Sequence, residues 1–78
     1  MTRKELATRL SNEGISTGSY ALFGENRDNA YVLDQTETGW LVYFRERGLR
    51  DWEHLFATET EACSFLLRAI LADAGTRR

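Results

Sequence analysis

The 78-residue sequence has no proline, one cysteine and one histidine. A lone cysteine excludes an internal disulfide and a cysteine-based zinc site. No apolar run approaches the length that crosses a bilayer, and no basic stretch leads into an apolar signal region at the N-terminus. The expected location is the cytoplasm, without membrane association. An excess of one charge is also lacking: ten Lys and Arg against twelve Asp and Glu leave a net charge of -2. Nucleic-acid binding normally needs a concentrated positive surface, so nucleic acid is not the expected partner. A mildly acidic chain meets a basic partner more readily. The loop Gly24 to Asn29 has one glycine and no Gly-x-x-x-x-Gly-Lys pattern. Its Glu25 and Asp28 lack the spacing and ligand number of a calcium loop. Neither a cofactor nor a metal is expected.

What is present is ordinary globular composition, 42% hydrophobic and 28% charged. Residues 1–78 read as one small domain, with 76–78 as a flexible polar tail. A domain of this size buries only about 60% of its extended-chain surface, enough for one thin core. Homodimerisation would bury more.

The longest strand signal is Gly39 to Gly48, GWLVYFRERG. Period-2 geometry puts Trp40, Val42, Phe44 and Glu46 on one face and Leu41, Tyr43, Arg45 and Arg47 on the other. Both faces begin apolar and end charged, as expected of a central strand whose far end reaches solvent. Tyr20 to Phe23 or Gly24 reads as a first strand and Ala30 to Gln35 as a second. The reversal Gln35 to Gly39, with Gly39 at positive φ, joins the second and third strands as an antiparallel hairpin. Trp52, His54 and Phe56 alternate with Glu53 and Leu55, which favours a fourth strand over a loop in Leu49 to Ala57.

Helices flank the strands. Thr2 and Glu5 fit a capping box ahead of Leu6 and Leu10, with Arg3, Lys4 and Arg9 pointing outward. Thr58 and Glu61 fit another, opening a helix to about Ala74 that Gly75 terminates. Ala62, Cys63, Leu66, Ala69 and Ile70 cover the sheet, and Leu67 and Leu71 widen the apolar arc. That width requires either the first helix or a second subunit alongside. The expected fold is a two-layer α+β domain, order α-β-β-β-(β)-α, with three or four antiparallel strands. The helix-free sheet face, aromatic and charged, is a natural surface for a protein partner.

No catalytic constellation is legible. Cys63 sits in the apolar face of its helix and reads as a core residue, and His54 reads as structural among aromatics. Glu46 and Glu53 would face each other across a hairpin, compensated by Arg45, Arg47 and Arg50. Arginines beside Tyr43 and Trp52 suit single strands of nucleic acid, but Glu46, Asp51 and Glu53 interleave with them. Alternating charge suits protein contact better.

Trp40, Val42, Tyr43, Glu46, Arg47 and Gly48, followed by Phe56, Glu59, Glu61, Ala62 and Cys63, with Leu66 and Leu67 extending the second block, form a pattern. It resembles small bacterial immunity proteins associated with polymorphic toxins of the tuberculosis-necrotizing-toxin type, which are NAD glycohydrolases. The likeness runs from Tyr20 to Leu71, leaves the first helix without a counterpart and departs from the pattern at Phe44 and Arg45. It implies a non-enzymatic protein that binds a cognate toxin and covers its active cleft. Glu46, Arg47, Asp51 and Glu53 are the implied contacts, with Tyr43 or Trp52 supplying apolar area and Arg45 beside them. The alternatives are a small nucleic-acid adaptor presenting Arg45 and Arg47 beside Tyr43, or a ligand-sensing accessory module.

Overall fold

The computed structural model describes residues 1–77. Helix α1 (Arg3–Asn12) opens with a reciprocal cap: Glu5 N–H donates to Thr2 Oγ1 at 3.2 Å and Thr2 N–H to Glu5 Oε1 at 2.8 Å. It closes with Gly14 at φ +78°, whose N–H reaches Ser11 O while Ile15 N–H reaches Leu10 O. This is the Schellman arrangement, and it turns Ile15 back into the core beside Leu10. A 3-10 turn (Thr17–Ser19) leads into β1 (Tyr20–Ala21). Strands β2 (Ala30–Gln35), β3 (Trp40–Glu46) and β4 (Leu49–Phe56) follow, then α2 (Glu59–Ala72) and a second 3-10 turn (Ala74–Thr76). The four strands form one sheet in sequence order, with β1 and β4 at its edges.

The α+β class and the flanking helices are as expected, but the sheet is mixed. Strand β1 runs parallel to β2, pairing Tyr20 with Tyr31 and Ala21 with Val32. A parallel crossover usually needs a dozen residues or more. Here only two residues pair, so the loop recovers roughly 7 Å of strand and eight residues suffice. The strand stops at Ala21 because the loop competes for its backbone. Phe23 N–H donates to Glu25 Oε1 at 2.7 Å, and Arg27 Nη1 donates to Tyr20 O at 2.7 Å. Phe23 is consequently outside the strand and exposed.

Gly39 is required for a different reason from the one the sequence suggests. Its φ is not positive, but a Cβ there would collide with the Phe56 carbonyl oxygen of β4. The positive φ values lie in the β3–β4 turn instead, at Arg47 (54°) and Gly48 (76°). Two such residues between the paired Glu46 and Leu49 are what a two-residue type I′ hairpin requires. Asp28 Oδ1 accepts the Gly48 N–H at 3.0 Å and ties this turn to the β1–β2 loop.

Helix α2 is N-capped by Thr58, which accepts the Glu61 N–H and donates its hydroxyl to the Glu61 carboxylate. Its buried residues Ala62, Cys63, Leu66, Leu67 and Ile70 meet Leu33 and Val42 of the sheet and Leu6 and Leu10 of α1. Helix α1 therefore fills the flank of the wide apolar arc. Burial, then Glu59, pushes the Cys63 thiol up to about 11, so it stays protonated at neutral pH.

Arg3 does not point outward. Its backbone N–H donates to Glu59 Oε2 at 2.7 Å, its Nη1 donates to Leu22 O at 3.3 Å, and its guanidinium lies 5.1 Å from the Phe23 and Trp40 rings. One cation thereby joins both helix N-termini to the sheet. Of the flexible tail expected over 76–78, Thr76 and Arg77 are held against the domain and Arg78 lies outside the described residues. Thr76 is buried, its hydroxyl reaches Ile70 O at 3.0 Å, its carbonyl accepts the Ser16 N–H at 2.8 Å, and Arg77 bridges Ile15.

Candidate functional site

The β3–β4 hairpin end carries the residues singled out by the sequence and distributes them over both sheet faces. The cause is a bulge. Val42 pairs with His54 but Phe44 pairs with Asp51, so Trp52 and Glu53 together oppose Tyr43. Trp52 occupies the left-handed region at φ 58°, rare for a bulky side chain. The extra residue reverses the parity of β4: Arg50 pairs with Arg45 on the helix-free face, while Trp52 and His54 turn toward α2. Glu46 and Glu53 consequently do not face each other, since Glu46 pairs with Leu49. Among the described residues none of Arg45, Arg47 and Arg50 makes an ion pair with either carboxylate.

On the helix-free face Tyr43 is wholly buried, packed with Ala21, Val32 and Leu41. The guanidinium groups of Arg45 and Arg50 sit 5.7 and 4.8 Å from its ring centroid. Its hydroxyl donates to Asp34 Oδ2 at 2.9 Å and accepts from Arg45 Nη2 at 2.9 Å, and Arg45 Nη1 reaches Asn26 Oδ1. Burial, then Asp34, raises the Tyr43 pKa against the opposing effect of Arg45. The like-charged Arg45–Arg50 pair is tolerated because both guanidinium groups lie against the Tyr43 ring, whose hydroxyl is bound to the Asp34 carboxylate. Tyr43 thus organises this face and offers no open ring to a partner.

On the helix side, six rings form a continuous aromatic cluster. Trp52 stacks on Phe65 of α2 (5.2 Å, 20°) and meets Tyr31 (5.6 Å) and His54 (4.9 Å) edge-on. Tyr31 meets Phe44 edge-on at 5.0 Å, and Phe65 also contacts His54 and Phe56. Tyr31, Phe44, Trp52, Asp51 and Asp73 line an open surface concavity of about 310 Å³. Asp73 closes it from just beyond α2: its Oδ2 accepts the Tyr31 hydroxyl at 2.9 Å and its Oδ1 accepts the Gly75 N–H. Burial, then Asp73, pushes the Tyr31 phenol up to about 12. Asp51 Oδ1 accepts the Trp52 N–H at 3.0 Å and holds the bulge.

Sequence reasoning named Asp51 and Trp52 of this concavity and missed Tyr31, Phe44 and Asp73. Phe44 carried a signal, being an apolar-face residue beside the charged end of β3, and Tyr31 is its partner across the β2–β3 hairpin. Asp73 carried none, because only the packing of α2 brings it there. Glu46, Arg47 and Glu53 are exposed around the same end, with Leu49 at 72% and Leu55 at 59% exposure along the β4 edge. A second, larger concavity lies along α1 between Lys4, Glu5, Thr8, Arg9 and Asn12. One helix surface lines it, and its Arg9 is already paired with Glu13 at 3.0 Å. Among the described residues no group of three or more His, Cys, Asp and Glu is placed to hold a metal ion. No described helix is long and apolar enough to cross a membrane. Comparison of the chain with protein-family models, with curated proteins and with solved structures returns no match.

Proposed function

We propose that the chain is a non-catalytic protein-binding module that works in the cytoplasm as an immunity protein or inhibitor of a cognate bacterial toxin. The observation that supports this reading is the hairpin end. There an exposed mixed-charge rim (Glu46, Arg47, Glu53), exposed Leu49 and a partly open Trp52 come together around the β3–β4 turn and the start of edge strand β4, with exposed Leu55 farther along that strand. Rim charges of both signs select a partner and speed its approach, while aromatic and aliphatic groups supply binding area. The nucleic-acid alternative loses its platform, since the Tyr43 ring is buried under Arg45 and Arg50 and has no face left for a base.

The test is reconstitution. Coexpression with a toxin domain encoded beside this gene is expected to yield a stable complex, and the purified protein to suppress toxin activity near a stoichiometric ratio. Glu46→Lys and Glu53→Lys, both at exposed positions, are expected to weaken the complex with the amide spectrum of the free protein preserved. Full toxin activity at saturating protein, with no detectable association, rejects the pairing.

A further inference from the structure

We propose that the concavity between Tyr31, Phe44 and Trp52 receives the guanidinium of an arginine side chain from a protein partner. The inference rests on reading the hairpin end as a binding surface, and it specifies what that surface recognises. Three rings border the concavity, and two carboxylates flank it. Aromatic faces attract cations, and the attraction grows where water is excluded. Neither Asp51 nor Asp73 makes an ion pair among the described residues. Two arginines are engaged elsewhere: Arg50 lies over Tyr43 on the opposite face, and Arg77 Nη2 donates to Leu71 O. The concavity is therefore an anionic, aromatic-walled recess in which no described cation pairs with either carboxylate.

The acceptors are placed for a donor with several N–H groups. Asp51 uses Oδ1 on the Trp52 N–H, and its Oδ2 has no hydrogen bond among the described residues. Both Asp73 oxygens are held by Tyr31 and Gly75, and each retains a further lone pair. An apolar side chain entering here would strip water from both carboxylates and replace none of it. A lysine ammonium is a strongly hydrated point charge that resists this desolvation. A guanidinium is planar, weakly hydrated and able to stack on an indole while donating sideways to carboxylates. Phe65 covers one face of Trp52, and the 37% of the residue that remains exposed is where such a plane would rest.

The experiment needs no toxin. Isotope-labelled protein is titrated with N-acetyl-arginine methylamide and followed by amide and indole N–H shifts. Parallel titrations use the lysine analogue and the neutral isostere N-acetyl-citrulline methylamide. The expected result is a weak but saturable response at the Trp52 indole and at the amides of Tyr31, Phe44, Asp51 and Asp73. The lysine analogue is expected to bind several-fold more weakly, and the citrulline analogue not to saturate. Asp51→Asn keeps the bond to the Trp52 N–H, removes the charge and is expected to cut affinity about tenfold. Phe44→Leu, which keeps an apolar side chain but removes a ring, is expected to cut it several-fold. Equal binding of citrulline, tighter binding of lysine, an unchanged affinity in Asp51→Asn, or shifts scattered over the surface would each overturn the assignment. A filled recess without a toxin complex retires the immunity role alone. An empty recess with a stable toxin complex retires the arginine site alone.

Discussion

Replacing Trp52 by alanine and by glycine separates what its side chain contributes from what its backbone costs. The residue is 37% exposed, so its side chain withdraws about 150 Å² from water, the lower end of the aromatic range. At about 25 cal/mol per Å² that burial is worth about 4 kcal/mol as an upper value, and both variants lose nearly all of it. They differ in the backbone. A left-handed conformation costs an L-residue roughly 1–2 kcal/mol, which alanine retains at φ 58° and glycine avoids. In an ordinary strand glycine is the worse of the two by roughly 0.5–1 kcal/mol. The strain relief outweighs that loss, so Trp52→Gly is expected to be more stable than Trp52→Ala by up to about 1 kcal/mol, an inversion of the usual order.

Urea denaturation measures the difference. For a domain this small, with a slope near 1 kcal/mol per M, the two midpoints should separate by up to about 1 M. Both titrations run in the same sucrose concentration, which strengthens burial and keeps the weakened variants on a folded baseline. If the alanine variant proves equal or better, the bulge relaxes once the indole is gone. The left-handed backbone would then belong to the tryptophan and not to the register of β3 and β4.

Gly39→Ala is expected to cost about 1–3 kcal/mol, because the Phe56 carbonyl belongs to the backbone of β4 and cannot swing aside; an unchanged thermal midpoint would refute the close approach. Arg47→Asn, which suits φ 54° in a type I′ turn, is expected to raise stability by about 0.5–1 kcal/mol, and a lower urea midpoint would contradict it. Tyr31 favours its protonated form in the folded state, so its contribution is fully present below the unfolded value near 10 and is lost as pH rises through about 12. The phenolate absorbance of the native protein should therefore contain a component near pH 12 that disappears in Tyr31→Phe and moves down in Asp73→Asn. Arg3→Ala is expected to destabilise by more than an exposed helix arginine would, since it removes contacts to Phe23, Trp40 and Leu22 together; a change within about 0.5 kcal/mol would show that this junction is a surface ornament.

Local signals were legible where they act over a few residues. Thr2 with Glu5 and Thr58 with Glu61 mark both helix starts, because a cap is a short-range hydrogen bond. The alternation of Trp40 to Arg45 survives intact because β3 is central and regular. Alternation fails in β4. It places Arg50 and Trp52 on one face, whereas the inserted residue sends Arg50 to Tyr43 and Trp52 to Phe65. No turn residue announces the bulge, since its left-handed position holds tryptophan and not glycine. Arg3 was misplaced for a related reason. A helical wheel sees only its own helix, and the rings that draw Arg3 inward come from Phe23 and Trp40. Thr76 and Asp73 lie beyond the periodic part of α2, so their roles depend on tertiary closure that periodicity does not report.

The departures from local rules collect at one end of the sheet. Among the described residues, the three non-glycine ones at positive φ are Asn29, Arg47 and Trp52. Asn29 precedes Ala30, which pairs with Arg45, and Arg45 pairs with Arg50, so all three flank the same terminal rungs. Asparagine tolerates this conformation; arginine and tryptophan do not do so readily. Neither is needed to make the chain turn or bulge, because glycine or asparagine would do so with less strain. What each supplies instead is a side chain: an exposed guanidinium at Arg47 and the indole wall of the Asp51–Asp73 recess at Trp52. The opposite end of the sheet, at Gly39, Trp40 and Phe56, is held by Arg3 and Glu59 and carries no such conformation. Backbone strain persists only where surrounding structure over-determines it, and here Asp28 on the turn and Asp51 with Phe65 on the bulge do so. The strained backbone thus coincides with the hairpin end proposed above as the contact surface, where it sets the exposed Arg47 beside the half-covered Trp52 indole.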